Sequence, residues 1–168
     1  MTCCIAARYD DGILIGTDTR ISAGDTTLTL GEAKTFDWKG LRVAYSGCLH
    51  YVQRLQAQPT SAYAPTIEGF QQLVWDFPPG KGERGETEFL VVVDGEIYAM
   101  SGWGDVVCVI EDYAVIGSEG KGAVGMALEY PRVRLRTLAA TKRCIAKVLR
   151  VVALHDNTVA EPFCYEEL

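Results

Sequence analysis

Apolar and polar residues alternate in two rhythms along the chain, and the change of rhythm predicts where strands give way to helices. Thr2 to Ala7 and Ile13 to Asp18 are short apolar runs separated by Asp10-Asp11-Gly12. Two such runs around a turn signal predict a β-hairpin. The expected faces are Cys4, Ala6, Leu14 and Gly16 on one side, and Cys3, Ile5, Ala7, Ile13 and Ile15 on the other. Neither face is polar, so the hairpin should belong to a sheet covered on both sides. A second hairpin is predicted from Ala33 to Trp38 and Leu41 to Ser46, around Lys39-Gly40.

Beyond Ser46 the period lengthens. Leu49 to Ala57 and Thr66 to Phe77 carry apolar residues at helical spacing, with a Pro/Ser/Ala loop from Gln58 to Pro65 between them. Pro78-Pro79-Gly80 and the charged stretch Lys81 to Glu86 end this helical pair. A third hairpin follows, Thr87 to Val93 and Glu96 to Met100 around Asp94-Gly95, with a short strand expected within Asp105 to Ile110. Gly117-Ser118-Glu119-Gly120 leads into a helix from Lys121 to Glu129, and past Pro131 an amphipathic stretch runs from about Val133 to His155. Pro162 to Glu166 reads as an edge strand. The order predicts an α/β fold: a four-layer αββα sandwich of two antiparallel sheets between helix layers, in one domain over residues 1–168.

Composition narrows the function classes. Hydrophobic residues make up 48% and charged residues 23%, which excludes a disordered chain. A net charge of −6 argues against a nucleic-acid binder, since that affinity rests on clustered Lys and Arg. Arg132 to Arg150 is the one basic stretch, and its helical period reads as a solvated face. No apolar run reaches membrane-spanning length and no signal-peptide pattern opens the chain, so a cytoplasmic protein is expected. The six cysteines form no C-x-x-C pair, and only two histidines, His50 and His155, accompany them. Buried reduced thiols are expected, with no metal and no cofactor.

Folding each hairpin back on itself brings candidate chemistry together. Reflecting Thr2 through the first turn lands near Asp18 and Thr19, and reflecting Lys34 through Lys39-Gly40 lands near Tyr45 and Ser46. Thr2, Asp18 and Lys34 would meet if the two hairpins lie side by side.

These residues resemble the proteasome β-type subunits, and most of all the bacterial HslV-like peptidases and other small homologues. The likeness rests on Thr2 after Met1, Gly16-Thr17-Asp18-Thr19-Arg20, Lys34, Val43-Ala44-Tyr45-Ser46-Gly47-Cys48 and Gly117-Ser118-Glu119-Gly120. Sixteen positions separate Thr2 from Asp18 and another sixteen separate Asp18 from Lys34, in the family's order. The resemblance implies an N-terminal-nucleophile hydrolase in which Met1 is removed and Thr2 acts through its hydroxyl. The free α-amine would serve as base, Lys34 would lower the amine's pKa, and Asp18 would hold Lys34. Gly47 would supply an oxyanion donor, while Ser118 and Asp156 would support the amine or a catalytic water. Ile21 and Tyr45 correspond to pocket-lining positions, which favours an apolar substrate side chain. Peptides or unfolded proteins are the implied substrates, a homo-oligomeric ring the implied state, and an ATP-driven unfoldase a partner by analogy. The chain departs from the family where Ser46-Gly47-Cys48 lacks a second glycine, where one residue is missing between Lys34 and Gly47, and where Val159 and Ala160 replace a serine and a glycine.

Each feature also has a plainer reading. Thr2 can start a strand, Lys34 can be a solvated strand lysine, Asp18 and Arg20 can form a surface pair, and Ser118 can cap a helix. Cys3 and Cys4 invite a thiol mechanism, yet their strand setting favours the core. Two other functions fit the same residues: an N-terminal-nucleophile amidohydrolase acting on a small amide, and a non-catalytic subunit that keeps the fold to build a ring.

Overall fold

In the computed structural model, which describes residues 2–23, 26–80, 87–117, 119–133 and 136–168, tight turns set the sheet registers. Strands β1 (Cys3–Tyr9) and β2 (Gly12–Asp18) pair with Tyr9 opposite Gly12, so the loop is two residues long. Ala6 therefore sits opposite Ile15, and Ala7 opposite Leu14. This reverses the expected faces of β2: Ile13 and Ile15 join Cys4 and Ala6, whereas Leu14 joins Cys3, Ile5 and Ala7. A shift of one residue in pairing moves every side chain of a strand to the other face.

A small separate hairpin follows, β3 (Arg20–Ala23) with β4 (Thr26–Thr29), which the hydrophobic pattern did not signal. Strands β5 (Thr35–Trp38) and β6 (Leu41–Ser46) turn through Lys39 and Gly40 at φ 54° and 91°. Strands β7 (Glu88–Val93) and β8 (Glu96–Ser101) turn through Asp94 and Gly95 at φ 51° and 76°. Two successive left-handed residues give the hairpin turn whose twist matches that of the strands. With β9 (Val106–Val109) these strands form a five-stranded sheet, β5-β6-β7-β8-β9.

The second sheet has the order β10-β1-β2-β11, with β10 (Tyr113–Gly117) and β11 (Phe163–Glu167) at its edges. The edge placement expected for the C-terminal strand is thus found. Strand β10 was not expected, because its partner β1 lies about a hundred residues earlier and no local turn announces the pairing. The sheets stack face to face, β10 over β6, β7 and β8, and β1 over β6. Cys4, Ala6, Ile13, Ile15, Ala44, Leu90, Ile97 and Ile116 fill the space between them.

Helices cover both outer faces. α1 (Leu49–Gln56) buries Tyr51, Val52 and Leu55, and α2 (Ile67–Asp76) buries Phe70, Leu73 and Val74, against Phe36, Trp38, Tyr45 and Phe89 of the five-stranded sheet. Helix α2 begins where the Thr66 hydroxyl accepts the Gly69 N–H at 3.2 Å. α3 (Glu119–Glu129) and α4 (Leu138–His155) cover the four-stranded sheet. Helix α4 starts later than Val133 because Thr137 is its cap, accepting the Ala140 N–H at 3.3 Å. Its buried positions Thr141, Cys144, Ile145, Val148, Leu149 and Val152 recur at helical spacing. The architecture is the expected α/β four-layer sandwich. No helix among the described residues is long and apolar enough to cross a membrane. Cys3, Cys4 and Cys144 are buried, whereas Cys108 is exposed on β9, contrary to the expectation of a wholly buried set.

Candidate active site

The start of β1, the end of β2 and the residue before β5 meet at one end of the space between the sheets. The pairing of Cys4 with Thr17 carries Thr2 and Asp18 to the same sheet end. Face-to-face stacking brings Lys34 over them from the other sheet, so convergence comes from layering and not from hairpins lying edge to edge.

Asp18 and Lys34 form a buried ion pair, Nζ to Oδ2 3.0 Å, with both side chains almost wholly out of solvent. The Lys34 ammonium also donates to Thr2 Oγ1 and to the Arg20 carbonyl. Its three N–H bonds thus have three oxygen partners, which fixes the head group. The Lys34 backbone N–H donates to Thr17 Oγ1 at 3.2 Å, securing the stem. Asp18 accepts the Cys3 N–H on Oδ1 at 2.9 Å and the Arg20 N–H on Oδ2 at 3.0 Å. Burial pushes the Asp18 carboxyl above its ordinary value, while the Lys34 charge and these N–H donors pull the other way.

Thr2 is itself buried, with its hydroxyl aimed at the ammonium. The neighbouring thiols are unsuited to nucleophilic work. Cys3 is pushed up to about 12, by burial first and then by the Asp18 and Asp156 charges, and Cys4 is raised well above its ordinary value by burial. A thiol is reactive as its thiolate, so both are inert at neutral pH.

The remaining expected residues take these places. Gly47 follows β6 and precedes α1, with φ at 101° and the residue exposed. Ser46, one position earlier, lies buried beside Gly117. Asp156 caps the end of α4, and its Oδ1 accepts the Thr158 N–H at 2.9 Å and the Thr158 hydroxyl at 2.6 Å. A hydroxyl therefore does sit on this carboxylate, although Val159 occupies the position where the family pattern has serine. Met1 and Ser118 lie outside the described residues. Neither histidine joins the group: His50 is exposed on α1, and the backbone carbonyl of His155 accepts a bond from Lys121 at 2.6 Å.

A cavity of about 440 Å³ opens beside Lys34, lined by Ala33 and Thr35 on either side of it and by Glu32, Tyr45, Leu49, Gln53 and Gln56. Tyr45 is part of its lining and Ile21 is not, and the wall mixes apolar and polar side chains. Sequence reasoning met Thr17 and Arg20 only as members of the Gly16-to-Arg20 motif and gave them no part in the site, and it passed over Thr158 and Glu88. The Thr17 hydroxyl and the Arg20 backbone make contacts that the motif does not specify, Thr158 lies in a loop with no motif, and Glu88 could have been noticed as a charge opening the apolar strand Glu-Phe-Leu-Val-Val-Val.

No protein-family model matches the chain, and no curated protein matches it in sequence. Solved structures do. HslV from Trypanosoma brucei superposes with a TM-score of 0.76 over 99% of this chain and 98% of that one, at 15% identity. A Gly-1 mutant of Anbu from Hyphomicrobium sp. strain MC1 reaches 0.76 over 100% and 82%, also at 15% identity. BPH from Thiobacillus denitrificans in complex with epoxomicin gives 0.72 over 99% and 97%, at 13% identity. The similar scores do not single out HslV, and together with the two sheets and two helix layers they show that this chain has the proteasome-related N-terminal-nucleophile fold.

Proposed function

We propose that the chain is a threonine-type endopeptidase whose nucleophile is Thr2 once Met1 has been removed. The observation that carries this reading is the Lys34 ammonium, fixed by Asp18 and directed at Thr2 Oγ1 in a buried site. Removal of Met1 would free an α-amine, whose ordinary pKa is near 8. A neighbouring ammonium disfavours a second positive charge, which leaves the amine neutral and basic at neutral pH. Thr2 Oγ then attacks the scissile carbonyl carbon while the α-amine takes the hydroxyl proton. The tetrahedral oxyanion collapses, the C–N bond breaks, and the proton passes to the departing amine. Water adds to the resulting ester and its cleavage restores the Thr2 hydroxyl.

In this scheme Gly47 donates its N–H to the oxyanion, and Asp156, with Thr158 bound to it, supports the amine together with Ser118. Tyr45 and Leu49 give the adjacent cavity an apolar side, and Glu32, Gln53 and Gln56 give it a polar one, which suits a substrate side chain with an apolar stem and a polar end. The structural likeness to a BPH that binds epoxomicin supports a peptide-like ligand. The helical assembly of Anbu from Pseudomonas aeruginosa supports a homo-oligomeric working state. A cytoplasmic ring, fed with unfolded chains by an ATP-driven unfoldase, completes the proposal.

Intact mass of the protein from its own host, followed by epoxyketone labelling, tests it. The expected result is loss of Met1, a label on Thr2, turnover of short fluorogenic peptides, and no label in Thr2→Ala. Retention of Met1 throughout the population, or labelling that survives Thr2→Ala, would refute it. Turnover of small acyl amides but not peptides would assign the site to an amidohydrolase.

A further inference from the structure

One charged side chain reaches the Thr2 end of the molecule without a part in the scheme above. Strand β7 alternates cleanly: Phe89 and Val91 enter the helix-side core, while Leu90 and Val92 enter the core between the sheets. Glu88 continues the second row, so its carboxylate points between the sheets, opposite Ser46 of β6 in the same register. Ser46 in turn lies against Gly117, the last residue of β10, and Gly117 pairs with Cys3. The Gly117 N–H donates to Glu88 Oε2 at 2.8 Å. The bond crosses from one sheet to the other.

The turn it holds is tight. Gly117 has φ at 86°, a left-handed conformation that favours glycine. A Cβ there would overlap the Thr2 carbonyl oxygen and stand 2.5 Å from Ser46 Oγ. The β10 backbone therefore passes between Thr2 and Ser46 with no room to spare. Thr87, adjacent to Glu88, grips the other glycine turn: its hydroxyl accepts the Cys48 N–H at 3.2 Å, one residue past Gly47. Thr87 and Glu88, consecutive at the entry to β7, thus bond the Gly47-Cys48 turn and the Gly117 turn.

We propose that Glu88 is a positioning residue, which from the second sheet fixes the Gly117 turn against the Thr2 backbone and so sets where the Thr2 hydroxyl stands relative to Lys34. The effect on turnover rests on the reading of Thr2 as nucleophile; the effect on the turn does not. A carboxylate accepting a backbone N–H in a partly buried site makes a short, directional bond, and a displacement of an ångström at a reacting atom is enough to slow a reaction strongly. The side chain need not touch substrate to matter.

The test uses Met1-free protein as wild type, Glu88→Ala and Glu88→Gln, with melting curves to confirm folding. In Glu88→Ala the Gly117 amide should exchange with solvent at least tenfold faster, roughly, because its acceptor is gone. In the same variant kcat on a fluorogenic peptide should fall on the order of tenfold or more while KM moves less than about threefold, the pattern of a misplaced nucleophile and not of lost substrate binding. Glu88→Gln keeps an acceptor oxygen and should restore both values to near wild type. If Glu88→Ala does not fold, Glu88→Asp, which withdraws the carboxylate by one methylene, takes its place with the same expectations. Unchanged Gly117 exchange, unchanged kcat, or a Gln variant as impaired as the Ala variant overturns the proposal. If wild type neither turns over peptide nor takes the epoxyketone, the peptidase reading fails instead, and Gly117 exchange still decides whether Glu88 fixes the turn.

Discussion

Replacing Lys34 by methionine keeps most of the side chain's volume and removes its charge, which isolates the Asp18–Lys34 pair from packing. Asp18 is wholly buried and Lys34 is 2% exposed, so solvent does not take over the role of the missing ammonium. Two backbone donors, the Cys3 and Arg20 N–H groups, would be the Asp18 partners left from this set. Removing one member of a buried pair costs about 3–5 kcal/mol, because the remaining charge stays desolvated. At this chain length that corresponds to a fall in melting temperature of roughly 2–4 °C per kcal/mol. The sign with pH follows from Asp18. Burial already raises its carboxyl above the unfolded value, and loss of Lys34 removes the largest opposing influence, so the folded variant holds its proton more tightly than the unfolded chain does. The penalty should be full at neutral pH and shrink as pH falls through the raised value. Urea unfolding followed by circular dichroism at pH 7 and pH 5 measures both. The double variant Asp18→Asn/Lys34→Met should be more stable than the sum of its single variants predicts, by roughly 0.5–3 kcal/mol. A Lys34→Met protein within about 1 kcal/mol of wild type at pH 7, or strict additivity in the double variant, would refute the account of a tightly coupled buried pair.

Four further outcomes are expected. Gly117→Ala should lower the unfolding free energy by more than the roughly 1 kcal/mol of a simple left-handed alanine, because its methyl meets the Thr2 carbonyl oxygen, and wild-type stability in urea unfolding would contradict the close approach. Phe70→Ala removes a fully buried ring that packs on Trp38 at 5.2 Å and on Phe89 at 5.5 Å between centroids, and should cost about 3–5 kcal/mol in urea unfolding. In native protein at pH 8, iodoacetamide should alkylate exposed Cys108 and leave Cys3 and Cys4 unmodified, as read by peptide mass. Because Cys3 is held up at about 12, above its ordinary value of 9.0, the fold keeps a proton that the unfolded chain releases, and stability should decline as pH rises from about 9 toward 12.

The sequence by itself determined the elements and much of the site. Runs of apolar residues at period two and at helical spacing, broken by Asp-Gly, Lys-Gly and Pro-Pro-Gly, give the hairpins, the helices and their order, because these depend on local propensity and on turn chemistry that each segment carries with it. The hairpin reflection of Thr2 onto Asp18, and of Lys34 onto Tyr45, needed only a turn position and a pairing rule. Tertiary structure decided the rest, since those features depend on contacts between residues far apart in the chain. Face-to-face stacking of two sheets brought Lys34 to Thr2, an adjacency that hairpin reflection left as a condition. A loop shorter by one residue exchanged the two faces of β2. Strand β10 formed on a distant partner, and in doing so laid Gly117 across Thr2 and within reach of Glu88. Local sequence can specify which residues are able to meet; the burial of two apolar sheet faces against each other selects the ones that do.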